Sequence, residues 1–226
     1  MNILYEDNHI IAVNKTNSEI VQGDKTGDIS LDKLVKQYIK EKYKKTGDVF
    51  LGVTHRLDRP VSGVVLFART SKALARLNKL FKEREIRKVY WAIVKKRPPA
   101  EAGRLEHHIV RNEKKNKSFA HDKVVKDSKK AVLTYKIIAA SDHFFLLEIE
   151  LETGRHHQIR AQLAKIGCPI KGDLKYGFER FDNNGGISLH SRLVEFIHPV
   201  KKEPVTIVAS PPDESLWNYF ANLFNH

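Results

Sequence analysis

Short apolar runs separated by polar turns are the main pattern of this chain. The first run, Ile10-Ile11-Ala12-Val13, has polar residues on both sides and predicts a strand. Residues 64–68 are entirely apolar and predict a second strand. Residues 88–94 are aromatic and β-branched, which favours a third strand, ended by Pro98-Pro99. Strand-sized runs therefore dominate the first half of the chain.

The second half repeats this pattern after a long polar stretch. Residues 101–130 are rich in Lys, His and Asn, and we expect a mobile loop or an irregular ribbon there, facing a partner. Four further strands are predicted, the first two joined as a hairpin: 131–139, 143–151, 188–197 and 204–209.

Four segments carry apolar residues at helical spacing. Ser30 is the expected N-cap of the first helix, in which these residues recur at helical spacing: Leu31, Leu34, Val35, Tyr38 and Ile39. Thr70-Ser71 is expected to cap the second helix. The third covers 156–166, where Gly167 is expected to stop it. The last begins after Pro211-Pro212-Asp213, with these inward residues: Leu216, Phe220 and Leu223.

Strands and helices do not alternate regularly along the chain. This predicts an α+β fold with a largely antiparallel or mixed sheet. No repeat and no clear linker divides the sequence, so we expect a single domain over 1–226 with no accessory module before it.

The excess of basic residues indicates a polyanionic partner. The chain of 226 residues has 40 Lys and Arg against 27 Asp and Glu, a net charge of +13. Nucleic acid is the first candidate partner, an anionic membrane surface the second, and general basicity the alternative. The single cysteine, Cys168, excludes an intramolecular disulfide and fits a reducing compartment. The acidic N-terminus is unlike a signal peptide, so we expect a cytoplasmic protein.

A charged turn precedes the strand at 64–68. Asp58 lies between Arg56 and Arg59, and Pro60 restricts the backbone of the residue before it. A carboxylate beside arginines on a stiff turn is expected to be ionised. An isolated aspartate in such a turn is usually only solvated, so this segment alone does not establish a site.

A second charged cluster, residues 153–160, precedes the third helix. The N-terminus of a helix offers unpaired N–H groups to an anion, and Arg155 and Arg160 add positive charge. His157 adds directional hydrogen bonds. A segment with three glycines follows at 167–177, where the backbone can approach a ligand closely; we refer to it as the glycine loop.

Taken together, these segments resemble the RluA family of pseudouridine synthases. The similar segments are, in order, His55-Arg56-Leu57-Asp58 with Ser62-Gly63, residues 88–92, and residues 154–160 with the glycine loop. The ordered set covers nearly the whole chain. It departs from the family at Lys15-Thr16, where Lys-Pro is frequent, and at His156, where Thr is frequent.

The resemblance implies a pseudouridine synthase fold with a catalytic cleft across its middle, and isomerisation of uridine to pseudouridine in RNA. It implies that Asp58, Tyr90 and Arg160 are the catalytic aspartate, tyrosine and basic residue. Arg56 matches the arginine that contacts the RNA where the target base has left. The candidate substrate-binding residues are Arg56, Arg59, Arg155, His157 and Leu189.

The residues agree with such a reaction. The target base must leave the stack, at a cost of a few kcal/mol. An ionised Asp58 can then act as nucleophile or base, with Arg160 favouring its charge and Tyr90 stacking on the uracil. The isomerisation adds and removes no atoms, so we expect no cofactor and no metal. The expected partner is ribosomal RNA of the large subunit or tRNA, bound by a monomer without a membrane or an obligate protein partner.

Other classes of function stay open at this point. A catalytically inactive RNA-binding or ribosome-assembly protein would have the same fold. A glycosidase usually needs paired carboxylates, and no second acid lies near Asp58 or in the second cluster. Metal binding at His107-His108 or His156-His157 is disfavoured because adjacent side chains on a strand point apart. Cys168 and Trp91 are expected to be buried residues of the core.

Overall fold

The computed structural model describes residues 1–23, 27–180 and 185–224. In chain order, its strands and helices are β1 (Asn2–Glu6), β2 (Ile10–Lys15), α1 (Leu31–Lys42), β3 (Gly52–Val53), β4 (Ser62–Ala68), α2 (Ser71–Glu83), β5 (Arg87–Val94), β6 (Ala102–Asn112), β7 (Lys117–His121), β8 (Lys129–Ala140), β9 (Phe145–Leu151), α3 (Gln158–Lys165), β10 (Leu189–Ile197), β11 (Pro204–Val208) and α4 (Ser215–Asn222). This composition confirms the α+β prediction.

The fold divides along the chain into two compact units. The first unit comprises residues 1–87 and 191–210, and the second comprises residues 88–190 and 211–226. The expected single domain over 1–226 and its catalytic cleft stay predictions. No helix within the described residues is long and apolar enough to span a membrane.

In the first unit, β1 pairs with β2, β2 with β4, and β10 with β11, all antiparallel. The two-residue strand β3 pairs with the far end of β4. Every residue of β4 is buried, which explains its unbroken apolar sequence. α2 packs against this sheet through Ala73 and Leu77, and Thr70 caps it as predicted, accepting a hydrogen bond from the N–H of Ala73 at 3.2 Å.

In the second unit, the strand order is β5-β9-β8-β6-β7, with antiparallel neighbours throughout. α4 packs Trp217 and Phe220 against Trp91 and Ile93 of β5, so the prediction that Trp91 belongs to the core is confirmed. α3 packs its Ala161 on β6 and β8. Cys168 is buried, also as expected.

Residues 101–130 are mostly two paired strands, and only residues 122–128 connect them to β8 as a loop. β6 has 11 residues and β7 has 5, and they pair from His108 opposite His121 to Asn112 opposite Lys117. We call this pair of strands the ribbon. Its inward positions include His107 and Ser118, which are both buried. The ribbon was not recognised as two strands because polar side chains occupy inward positions that usually carry large apolar residues.

Three residues of the apolar helical patterns lie outside the fully buried core. Leu34 of α1 is 37% exposed and Leu223 after α4 is 48% exposed. Tyr38 of α1 is part-buried, and its hydroxyl donates to Glu6 Oε2 at 2.9 Å. β1 and β3 were not predicted, because each is short. Residues 24–26 of an expected loop, and 181–184 of another, lie outside the described residues.

Candidate functional site

Asp58 lies on a tight turn of the first unit, between β3 and β4. The N–H of Val61 donates to the carbonyl oxygen of Asp58 at 3.0 Å, which closes the turn around Pro60. The side chain of Asp58 is neither fully buried nor fully exposed. The turn leads directly into the buried strand β4, so the position of its carboxylate depends on the contacts that hold the turn.

Two side chains attach the chain before Asp58 to β4. Thr54 Oγ1 donates to the carbonyl oxygen of Leu66 at 2.5 Å, and the N–H of Leu66 donates to His55 Nε2 at 3.0 Å. These bonds continue, through side chains, the pairing that β3 makes with β4. Because Nε2 accepts a hydrogen bond, the His55 ring is neutral and carries its proton on Nδ1 in this arrangement.

Lys15, at the end of β2, attaches the chain after Asp58. Its Nζ donates to the carbonyl oxygens of Thr16 at 2.9 Å, Arg59 at 3.0 Å and Val61 at 2.6 Å. The N–H of Ser18 also donates to the Arg59 carbonyl oxygen, at 3.0 Å. The turn that carries Asp58 is therefore bonded on both sides, as a positioned reactive group requires.

The Lys15 side chain is completely buried. Burial lowers its pKa to about 8, although the negative charges of Glu19 and Asp58 act in the opposite direction. The charges of Lys15 and Asp58 therefore attract each other. From the sequence, Lys15 was noted only beside Thr16, where the chain departs from the family pattern. A lysine that ends an apolar strand was the signal that could have identified it.

Gly63 is required where the turn enters β4. Its φ is +113°, and a Cβ atom at this position would lie 2.3 Å from the carbonyl oxygen of Ser191 in β10. Any side chain would push these two backbones apart. The Ser62-Gly63 pair of the family pattern is thus explained by close packing beside the Asp58 turn.

Two candidate RNA-binding arginines flank Asp58. The side chain of Arg56 is exposed to solvent. Arg59 NH2 lies 2.7 Å from Asp28 Oδ2, and both side chains are about half exposed, at 45% and 49%. An exposed ion pair contributes at most about 1 kcal/mol, so Arg59 can exchange this carboxylate for a phosphate at little cost.

Tyr90 and Leu189 lie in the second unit. Tyr90 is buried in β5, where it pairs with Ile149 of β9, and Leu189 is buried at the start of β10. Both side chains are buried, and their expected contact with the substrate stays a prediction.

Arg160 forms a buried ion pair in the second unit. Its Nε lies 2.7 Å from Asp173 Oδ2 and its NH2 lies 2.9 Å from Asp173 Oδ1, and both side chains are at most 6% exposed. Its guanidinium also lies 5.0 Å from the ring centroid of Tyr176. Asp173 and Tyr176 come from the glycine loop, and sequence reasoning gave them no role. The expected action of Arg160 on Asp58 stays a prediction.

His157 is part of the packing of the second unit. Its φ is +53°, and it is the N-cap of α3. Its Nδ1 lies 3.0 Å from the Tyr176 hydroxyl, which donates to the carbonyl oxygen of Ser118 at 3.1 Å. The Tyr176 proton is thus engaged, so Nδ1 of a neutral His157 is the donor. Burial lowers the pKa of His157 to about 2, helped by the positive charge of Arg160.

The expectation that adjacent histidines point apart was wrong at His156-His157. Their rings stack with centroids 3.8 Å apart, because these residues form a turn and not a strand. His157 is 8% exposed, which leaves little of its ring for contact with RNA. Within residues 1–23, 27–180 and 185–224, no three His, Cys, Asp or Glu side chains form a group that could hold a metal ion.

Arg155 is anchored on β8. Its Nε donates to the carbonyl oxygen of Lys130 at 3.0 Å, and its N–H donates to Gln158 Oε1 at 2.9 Å. The guanidinium is thereby held at the surface of the second unit, where its remaining donors can bind an anion.

The first unit holds a carboxylate on a braced turn, and the second holds a buried tyrosine and a buried arginine, in the chain order of the RluA pattern. Residues 9–165 match the family model described as RNA pseudouridylate synthase. The chain belongs to this family. The match covers well over half of the chain, and it confirms the resemblance to the RluA pseudouridine synthases.

Known relatives agree with this membership. The chain is 34% identical over 176 residues to the ribosomal large subunit pseudouridine synthase C of Rickettsia prowazekii, which covers 77% of this chain and 56% of the relative. It is 32% identical over 229 residues to the protein of the same name from Buchnera aphidicola, covering 98% of this chain and 70% of the relative. The chain therefore spans little more than half the length of the Rickettsia relative.

A solved structure shows the same fold. The human RNA pseudouridylate synthase domain containing 4 superposes with a TM-score of 0.80, at 23% identity, over 97% of this chain and 92% of that chain. The expected pseudouridine synthase fold is thus confirmed.

Proposed function

We propose that this protein isomerises uridine to pseudouridine in structured RNA, and that Asp58 is the reacting carboxylate. The observation that carries this proposal is the turn of Asp58, held by Lys15 on one side and by Thr54 and His55 on the other. In a chain of this family, such bracing supplies the fixed geometry that a reacting group needs.

The reaction breaks the bond between N1 of uracil and C1′ of ribose, turns the base, and forms a bond from C5 to C1′. The proton lost from C5 is balanced by the proton gained at N1, so no cofactor is needed. Asp58 acts on the flipped nucleoside as nucleophile or base. Tyr90 stacks on the uracil, which contributes about 1–3 kcal/mol, and Arg160 favours the ionised carboxylate.

The RNA contacts are proposed for Arg56, Arg59 and Arg155, with Leu189 lining the uracil pocket. The net charge of +13 supports a polyanionic substrate. The names of the Rickettsia and Buchnera relatives support ribosomal RNA of the large subunit (23S), with tRNA as the alternative. We place the protein in the cytoplasm as a monomer without an obligate protein partner.

The test is a map of pseudouridine in ribosomal RNA and tRNA. RNA from cells that lack the protein is treated with purified wild type, Asp58→Asn or Asp48→Asn, the last being an exposed aspartate as control. We expect product from wild type and from the control, none from Asp58→Asn, and RNA binding by all three.

Two outcomes contradict the proposal in different ways. Equal product from wild type and Asp58→Asn would remove the assignment of Asp58. RNA binding by wild type without any product would favour the catalytically inactive assembly protein instead.

A further inference from the structure

A groove of about 600 Å³ lies in the first unit, next to the segment that leads into the Asp58 turn. One wall is α1, which contributes Lys36, and another wall includes Arg56, two residues before Asp58. Leu51 and Val53 add an apolar surface between them. Binding sites for small molecules have volumes of about 300–1,000 Å³, so the groove is of the size that a nucleotide needs.

The lining suits a nucleotide better than a purely anionic or purely apolar ligand. Lys36 and Arg56 offer positive charge to a phosphate, and Val53, which is half-buried, offers a small apolar area to a ribose or a base. The acid among the described lining residues is Asp32, whose Oδ1 accepts a hydrogen bond from the Ser30 hydroxyl.

His55 makes this wall of the groove rigid. Its ring accepts the hydrogen bond from Leu66, and it packs against Phe81 with ring centroids 4.9 Å apart. A wall that is bonded to the same strand as the Asp58 turn keeps a fixed position relative to Asp58 within the first unit. A nucleotide in the groove would therefore be held at a defined distance from the reacting carboxylate.

α1 extends the positive charge beyond the groove. Lys33, Lys36 and Lys40 follow one another at spacings of three and four residues, and all are exposed. Residues at these spacings share one face of a helix, and like charges there destabilise it by a few tenths of a kcal/mol. A bound polyanion removes this repulsion.

We propose that this groove binds the RNA nucleotide next to the target uridine, with Lys36 contacting its phosphate. The inference rests on the proposed function. It adds a site that positions the RNA strand where the strand extends away from the target uridine at Asp58. In this proposal, α1 determines which nucleotide of the RNA lies beside Asp58, although α1 is outside the signature segments.

A second groove of the first unit provides a matched control. It has about 440 Å³ and runs along α2, where Lys79 is accompanied by Glu83 and Glu85. Arg76 in this groove donates to the carbonyl oxygen of Pro199 at 2.9 Å. The lining of this second groove also includes Lys202, but Lys79 lies 3.9 Å from Glu83 and Arg76 is bonded internally. We therefore expect this groove to bind RNA less well, and Lys79 is an exposed helical lysine like Lys36.

Directed cleavage tests the position of the RNA without reference to catalysis. An iron–EDTA group is attached to the introduced thiol of Lys36→Cys or Lys79→Cys. The single native cysteine, Cys168, is buried and does not compete for the reagent. The probe is a hairpin RNA with an all-uridine loop. We expect radical cleavage in the loop and adjoining nucleotides from Lys36→Cys, and little from Lys79→Cys.

Kinetics test the contribution of the charge. We expect Lys36→Ala to raise KM about fivefold to tenfold with kcat unchanged, and to reduce the slope of log K against log salt by about 0.7–0.9, the loss of one phosphate contact. Lys79→Ala should behave as wild type.

The outcomes separate this inference from the proposed function. One outcome is that wild type forms pseudouridine, Lys36→Ala has no effect and both thiols give identical cleavage. That result would contradict RNA binding in the groove and leave the proposed function standing. If wild type forms no pseudouridine, the proposed function fails, and the cleavage pattern still decides whether RNA enters the groove.

Discussion

Lys15 Nζ lies 2.6 Å from the carbonyl oxygen of Val61, so the buried end of β2 is bonded directly to the turn that carries Asp58. A buried ammonium group is costly unless every N–H finds an acceptor. Here three carbonyl oxygens accept from it, and two of them, of Arg59 and Val61, belong to the turn. The turn carbonyls thus offset part of the cost of burying this charge, and the ammonium group holds the turn in place.

The variant Lys15→Met should lose far more activity than stability. Removing the buried charge offsets much of the lost hydrogen bonding, so we expect the free energy of unfolding at pH 7 to fall by no more than about 1 kcal/mol. A turn displaced by about 1 Å can cost about 100-fold in rate. Urea unfolding and pseudouridine formation measure the two effects, with Lys82→Met, an exposed lysine of α2, as control. Unchanged activity would show that Lys15 does not position Asp58.

Stability should depend on pH through Lys15. Its pKa is lowered from the ordinary 10.5 to about 8, so between these values the unfolded chain binds more protons than the folded protein. The contribution of this group to stability therefore rises as pH increases from 8 to 10.5, by at most about 3 kcal/mol. In urea unfolding at several pH values, the free energy of unfolding of wild type should increase relative to that of Lys15→Met as pH rises. A difference that is constant with pH would contradict the buried, charged state of Lys15.

Breaking the pair between Arg160 and Asp173 should destabilise the protein strongly. The variant Asp173→Ala leaves a buried guanidinium without this carboxylate, which typically costs about 3–5 kcal/mol. Glu179→Ala is the control, because Glu179 pairs with Lys95 while 73% exposed and should cost less than about 1 kcal/mol. Chemical denaturation measures both. Similar small losses would mean that the Asp173 pair is not needed for the fold.

Phe119 of the ribbon should contribute to RNA binding. It is 38% exposed, and Lys117 Nζ lies 5.6 Å from its ring centroid, so an aromatic face and a positive charge occur together. Stacking of one base on an aromatic ring contributes about 1–3 kcal/mol. We expect Phe119→Ala to weaken binding of a fluorescent hairpin RNA about tenfold without changing thermal stability, and Phe119→Trp to preserve it.

The control for the ribbon is Tyr219→Ala, because Tyr219 of α4 is 46% exposed and has no basic neighbour in its helix. Fluorescence anisotropy measures all three variants. Equal affinities of Phe119→Ala and Tyr219→Ala would exclude a specific role of the ribbon.

The strands of the core could be predicted because their signal is local. Residues 64–68 and 88–94 are apolar over several positions, and both became strands, β4 and β5, close to the expected bounds. The ribbon was missed because its inward residues include His107 and Ser118. His107 Nδ1 accepts a hydrogen bond from Gln162 Nε2 at 3.0 Å. Gln162 is 55 residues further along the chain, so no local sequence pattern contains this contact.

The sequence by itself determined the family, through the order and spacing of a few segments, and it identified Asp58, Tyr90 and Arg160 as candidates. Only the tertiary structure showed that Lys15 braces the Asp58 turn and that Asp173 pairs with Arg160. The physical reason is that a buried charge is stable only beside partners that folding brings to it. Those partners are backbone carbonyls, which every residue has, and a carboxylate 13 residues further along the chain, beyond the end of α3, so no local sequence pattern revealed them.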